Sequence, residues 1–174
     1  MLISKAMNVA MNEQVGNELA ASHQYIAIAV YFEGEGLPML AKHFHAQSAE
    51  ERVHAMRFVK FLSDASAKVT IPAIPAPRAT FKSAEDAVRL ALESEMRVTS
   101  QINALMDRAV KEGDHLSKNE LEWFVREQRE EVTSMDTLLR MVKRAGESGL
   151  FFVESFLLSG GMAGEAGAEG GAAG

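Results

Sequence analysis

The 174-residue chain contains no cysteine. Thiolate metal sites, redox dithiols and disulfide frameworks are excluded together, and the composition fits a reducing compartment. Long apolar runs are missing too: the longest, Tyr25 to Phe32, is far too short for a bilayer-crossing helix. The opening residues MLISKAMNVAMNEQ show no charged lead followed by an apolar core, so no secretory leader is expected and the expected location is cytoplasmic. Basic blocks are absent as well, because the net charge of −6 comes with Lys and Arg scattered along the chain. Nucleic acid demands clustered cations against its phosphates, so it is not an expected partner, and neither is a membrane.

What the chain does have is helical period. Met11, Val15, Glu18, Ser22, Tyr25 and Ala29 recur at spacings of three and four, and Leu37, Leu40, Phe44, Gln47, Glu51, His54, Phe58 and Phe61 repeat the pattern. Two further stripes run through Val88, Ala91, Glu95, Val98, Ile102 and Leu105, and through Leu121, Phe124, Gln128, Glu131, Met135 and Leu138. Each predicts a helix of about 27 residues, or about 40 Å at the usual rise. The length suits one domain with a sizeable core.

Punctuation supports the division. Gly34, Gly36 and Pro38 separate the first two helices, and Gly113 closes the third. Ser83 before Asp86 and Ser117 before Glu120 read as helix N-caps. Between Asp64 and Lys82 three of the four prolines fall in VTIPAIPAPRATF, which excludes helix and favours extended backbone. About 19 such residues reach roughly 60 Å, enough to travel the length of a helix. Short turns make helices one and two antiparallel, and likewise three and four; the long link lets two and three run parallel. The expected fold is all-α: a four-helix bundle with one long crossover between helices two and three, plus a short fifth helix. That fifth helix, LFFVESFLL, suits docking on its own bundle or a contact between subunits. The domain is expected over residues 1–158, with 159–174 a flexible Gly/Ala-rich tail.

Each apolar stripe is interrupted by a side chain able to hold a metal: Glu18, then Glu51 and His54, then Glu95, then Gln128 and Glu131. Glu18 and Glu51 are symmetric in number about the first turn, and Glu95 and Glu131 about Gly113. Both pairs therefore lie about 24 Å from their turns, at one depth. Residues three apart share a helix face, which joins Glu51 to His54 and Gln128 to Glu131. A lone Glu-x-x-His is common by chance; four stripes interrupted at matched depth are not. Four carboxylates in a low-dielectric core repel and take up protons unless cations neutralise them, and two divalent ions balance the charge. Oxygen donors with one imidazole favour iron or manganese over structural zinc. The chemistry implied is binuclear oxidation.

With these motifs the chain resembles the bacterial non-haem ferritins, of the ferritin-like di-iron family, over nearly its full length. The motifs are NELAASHQYIAIAVYF, EERVHAMRF, ESEMRVTSQ and WFVREQREEV. The symmetric di-iron scheme takes a Glu from each of two helices and Glu-x-x-His from the other two. Here Gln128-x-x-Glu131 replaces the second Glu-x-x-His, as in ferritins. The resemblance implies an iron-storage ferritin that oxidises Fe(II) with dioxygen at a buried di-iron ferroxidase centre. Ferric oxyhydroxide would be deposited inside a homo-oligomeric shell of twenty-four subunits, with the crossover and second helix at two-fold contacts and the short helix near four-fold axes. It places one iron on Glu18, Glu51 and His54 and another on Glu51, Glu95 and Glu131, with Gln128 towards the dioxygen side.

The same resemblance makes Tyr25 a hydrogen-bonding, redox-active neighbour, with Trp123 a weaker candidate. It also implies a possible third iron on Glu50, Glu127 and Glu130, with Glu131 shared. The alternatives are a non-storing di-iron oxidase and a haem-containing bacterioferritin. In bacterioferritins a methionine directly after the second-helix glutamate ligates haem; here that position is Arg52, so no haem is expected. Met56 lies one turn on, but most of the ten methionines are expected to fill core. His23, His43, His45 and His115 are expected at surfaces or interfaces, and Asp114, Glu120 and Glu122 are candidates for lining an inlet of the shell.

Overall fold

The stripes become four long helices in the computed structural model, which describes residues 1–162: α1 (Lys5–Gly34), α2 (Pro38–Asp64), α3 (Ala84–Glu112) and α4 (His115–Ala145). A 3-10 turn at Glu147–Gly149 leads into α5 (Leu150–Leu158). Among the described residues there is no strand. The expected tail falls largely outside them, at 163–174, while 159–162 form a turn after α5.

Local chemistry sets most boundaries. The Ser4 hydroxyl accepts from Met7 N at 3.0 Å and the Ser83 hydroxyl from Asp86 N at 3.1 Å, so both cap helix starts. Gly113 ends α3 at φ 65°, a left-handed conformation that costs glycine little. The expected cap at Ser117 is corrected. Asp114 caps α4 instead, its Oδ1 accepting from Ser117 N at 2.9 Å and its Oδ2 from the Ser117 hydroxyl at 2.6 Å. A charged carboxylate at a helix N-terminus is the stronger acceptor, and it stands directly after the turn at Gly113.

At the start of α2, Leu37 offers no side-chain cap. Glu154 supplies one from α5, its two carboxylate oxygens accepting from Met39 N at 2.9 Å and Leu40 N at 2.8 Å. This buried carboxylate is the only charge in LFFVESFLL, and its role was not read from the sequence. Around it Leu150, Val153 and Leu157 pack on the bundle, while Phe151 and Phe152 point outward at 76% and 80% exposure.

Two apolar clusters show the topology. One joins Phe32 of α1, Phe44 of α2, Val88 of α3 and Leu138 of α4; the other joins Met11, Phe58, Ile102 and Leu121 in the same helix order. The first halves of α2 and α3 therefore share one end of the bundle, and the two helices run parallel as the long link required. The link climbs along α1. Asn8 and Asn12 amides donate to Lys68 O at 2.9 Å each, and Thr70 N donates to Asn12 Oδ1 at 2.6 Å. Further up, Gln24 exchanges two 2.9 Å bonds with the Arg78 backbone. Between these anchors Gly16 lets Pro72 against the helix, since a Cβ there would lie 2.5 Å from Pro72 Cγ.

Gly16→Ala tests that approach. Helix propensity alone predicts a gain of about 1 kcal/mol, whereas overpacking costs about 1–3 kcal/mol. The expected outcome is a lower melting temperature that Pro72→Ala restores in the double variant; a more stable Gly16→Ala protein would show that the link does not press on α1. Glu154→Ala is expected to cost about 1–2 kcal/mol by leaving two helix N–H groups without their acceptor. Hydrogen exchange at Met39 and Leu40 should accelerate, and unchanged protection there would refute the cap.

Candidate metal centre

Between the two apolar clusters lies a polar layer to which all four long helices contribute. Glu18 and Tyr25 come from α1, Glu51 and His54 from α2, Glu95 from α3, and Gln128 and Glu131 from α4, and all seven are buried. The depth match expected from residue numbers thus holds in three dimensions. Ligand atoms of Glu18, Glu51 and His54 lie within 4.8 Å of one another, as do those of His54, Glu127 and Glu131.

Few donors reach this layer. Gln14, one turn before Glu18 on the same face, donates to Glu18 Oε1 at 2.9 Å. The Tyr25 hydroxyl donates to Glu95 Oε1, and Gln128 Nε2 lies 3.3 Å from Glu95 Oε2. Glu18 Oε2 and Glu51 Oε2 are buried with no donor. Ionised carboxylates only accept hydrogen bonds, so these oxygens need either a proton shared between carboxyls or a cation.

Electrostatics says the same. Burial first, then the Glu95 and Glu18 charges, push Glu51 well above the usual carboxylate range. Burial raises Glu18, raises Glu95 to about 7 against the opposing Tyr25 hydrogen bond, and with the Glu95 charge raises Glu131 to about 9. His54 moves the other way, to about 4, through burial and then the Arg57 charge. It is neutral at physiological pH, with a lone pair free for a metal. An oxygen-rich donor set, orphaned acceptors and a neutral imidazole fit a pair of iron or manganese ions.

The first geometric group is the set expected for one iron; the second, His54 with Glu127 and Glu131, differs from the expected Glu51, Glu95 and Glu131. Glu95 is engaged by Tyr25 and Gln128, whereas Glu131 faces His54 and Glu127. Glu50, Glu127 and Glu130, expected around a third ion, line a cleft of about 960 Å³ between α2 and α4 that continues past Glu131 to Leu157 of α5. Burial raises both Glu50 and Glu127, with a neighbouring carboxylate adding to each.

Other expected residues have ordinary structural partners: Asp114 caps α4, Glu120 accepts from Arg57 at 2.6 Å, and Glu122 lies 3.7 Å from Lys118. His45 pairs with Glu33 at 2.9 Å, and His23 and His115 are exposed. His43, expected at a surface or interface, is half-buried with Nε2 enclosed, and its ring stands edge-on to Phe44 at 5.3 Å. Sequence reasoning missed Gln14, whose signal was its spacing of four from Glu18, and Thr99, whose hydroxyl lies 3.4 Å from Gln128 Nε2.

The sequence model of the family described as ferritin-like domain matches residues 8–145. The chain belongs to the ferritin family. Ferritin BfrB of Mycolicibacterium smegmatis is 49% identical over 147 residues, which cover 84% of this chain and 81% of that protein. A Mycobacterium tuberculosis relative named Bacterioferritin BfrB is 47% identical over 147 residues, with the same coverage. Among solved structures, an open-pore ferritin from the hyperthermophilic archaeon Archaeoglobus fulgidus superposes with a TM-score of 0.87 at 31% identity, covering 90% of this chain and 96% of that one. The five-helix order, the long crossover and the parallel α2 and α3 are thus ferritin architecture.

The raised carboxyls make this ferritin's metal-free stability pH-dependent. A carboxyl whose folded pKa exceeds its unfolded value stabilises fully below the unfolded value and loses that contribution as pH rises through the folded one. His54, lowered to about 4, acts oppositely and only below its ordinary 6.5. Above pH 6.5 the raised carboxyls, Glu51, Glu95 and Glu131 among them, therefore set the slope, and the melting temperature of the metal-stripped protein is expected to fall from pH 6.5 to 9. Divalent cation or Glu131→Gln should flatten the fall. A melting temperature independent of pH in chelator would refute the charge crowding.

Proposed function

We propose that this chain is an iron-storage ferritin with ferroxidase activity, working in the cytoplasm. Ferrous ion is the substrate. The observation that carries the reading is the pair of buried acceptors without donors, Glu18 Oε2 and Glu51 Oε2, beside a neutral His54. One ion is held by Glu18, Glu51 and His54; a second draws on Glu51, Glu95 and Glu131, with Gln128 beside it. Two ferrous ions supply two electrons, the number that takes dioxygen to hydrogen peroxide. Tyr25 donates to Glu95 and keeps that carboxylate oriented; burial and the surrounding carboxylates hold its phenol protonated.

Glu50, Glu127 and Glu130 in the α2–α4 cleft supply further oxygen donors, either for a third ion or for ions leaving the pair. Storage requires an enclosed volume that one bundle lacks. The outward Phe151 and Phe152 support assembly, since aromatic surface at 76% and 80% exposure is better buried between copies. A shell of twenty-four copies with a ferric oxyhydroxide core is the proposed assembly.

The name of the Mycobacterium tuberculosis relative raises a haem-bearing alternative. Arg52, which follows Glu51, is exposed and cannot ligate haem iron; Met56, also exposed, lies one turn further along α2. No haem is part of the proposal, and a Soret absorption band in the purified protein would overturn that.

Rapid mixing of ferrous ion with aerated protein is expected to give a fast oxidation phase that Glu51→Ala and His54→Ala each slow at least about tenfold. Equal fast-phase rates in parent and variants would remove these residues from the site. Native mass after iron loading is expected to show a large shell holding far more iron than its sites; a small oligomer with only site-bound iron would leave a non-storing di-iron oxidase as the reading.

A further inference from the structure

We propose that Arg57 is a positioning residue of the metal centre, acting through Trp123 to hold the imidazole of His54. The inference rests on His54 being a metal ligand, as argued above. Ligating imidazoles are ordinarily oriented by a hydrogen bond from the nitrogen that does not bind metal. Among the described residues His54 makes no such bond to protein: its Nδ1 faces Glu51 Oε2 at 3.5 Å, oxygens of Glu18, Glu127 and Glu131 lie within 4.8 Å of a ring nitrogen without bonding it, and Trp123 and Phe124 stand beside the ring.

Trp123 stands at 5.4 Å and 78° to the His54 ring, and Phe124 at 6.1 Å and 79°. Both are edge-to-face contacts, in which ring orientation matters. Phe124 is locked in turn, stacked on Phe58 at 4.1 Å. Trp123 is only half-buried, and the Arg57 guanidinium lies over its ring, 4.1 Å from the centroid. Arg57 is itself fixed, its Nε donating to Glu120 Oε1 at 2.6 Å.

The spacing makes these contacts one unit. His54 and Arg57 are three apart on α2; Glu120 and Trp123 are three apart on α4. Each pair therefore shares a helix face, and the two faces meet. Arg57 binds both α4 residues at once, one through its charge and the other through its planar face, so Trp123 is in contact with both the guanidinium and the imidazole it orients. A planar, fork-shaped cation suits that double contact, whereas the compact ammonium of lysine satisfies only the ion pair.

The test uses the metal-stripped full-length protein titrated with Co(II), whose visible bands report the donor set and its geometry. Arg57→Met retains stem length without the planar cation, and Arg57→Lys retains the charge. Both are expected to weaken cobalt binding about tenfold and to move the bands towards those of His54→Ala. A role confined to folding would lower the melting temperature without moving the bands. Glu120→Gln, a milder change should Arg57→Met fail to fold, is expected to shift the bands in the same direction by less. Parent-like affinity and bands in Arg57→Met or Glu120→Gln overturn the proposal, as does full recovery in Arg57→Lys, which would leave charge alone in the role. Parent bands that His54→Ala leaves unchanged would instead overturn the ligand assignment on which the inference stands.

Discussion

Four carboxyl groups share one buried layer, and the rest of the structure is arranged around that cost. Apolar clusters close the layer above and below, which leaves little water to screen the charges. Raised carboxyl pKa values result chiefly from that closure, with mutual repulsion second. A hydrophobic replacement of the same layer would be easier to bury. A cation of matching charge can take the place of the missing donors, and the donors are missing where the first ligand group lies.

The layer is not symmetric, and the asymmetry divides labour. Glu95 is held by Tyr25 and Gln128, Glu18 by Gln14, while Glu51 and Glu131 keep oxygens facing other carboxyls and His54. Neutral donors thus reach Glu95 and one oxygen of Glu18, while the second oxygen of Glu18 and one of Glu51 have none. His54 belongs to both groups of potential ligands, and its ring meets Trp123 and Phe124 edge-on. Glu127 and Glu131 then face the α2–α4 cleft, so the more exposed group also has the wider path to solvent.

Most of the bundle was legible in sequence because its rules are local. Helix rise and short turns convert residue numbers into depth, which sets Glu18 level with Glu51 and Glu95 level with Glu131. Three prolines and a long reach determined the parallel α2 and α3 in the same way. Legibility ended where two candidates competed or where a partner came from far along the chain. Ser117 and Asp114 both suit a helix start, and only the position of the Gly113 turn decides between them. Glu154 caps α2 from more than a hundred residues away, and Arg57 meets Trp123 across two helices; no periodicity carries either contact. Glu95 illustrates a third limit: its depth was readable, but whether it turned to Glu131 or to Tyr25 depended on side-chain direction.

Glu154 also shows how one short helix serves two ends. A nine-residue helix with a strongly apolar sequence has little stability of its own and no preferred face. Its single carboxylate resolves both problems, because two charge-assisted bonds to the first turn of α2 select which side faces inward. Once that side is chosen, Phe151 and Phe152 must point away from the bundle. The outward apolar face is thus a consequence of the inward cap rather than a separate feature. Because α2 carries Glu50, Glu51 and His54, the anchor of the outer helix is on the same rigid rod as the metal ligands, and a helix docked at this end cannot shift without loading the start of that rod.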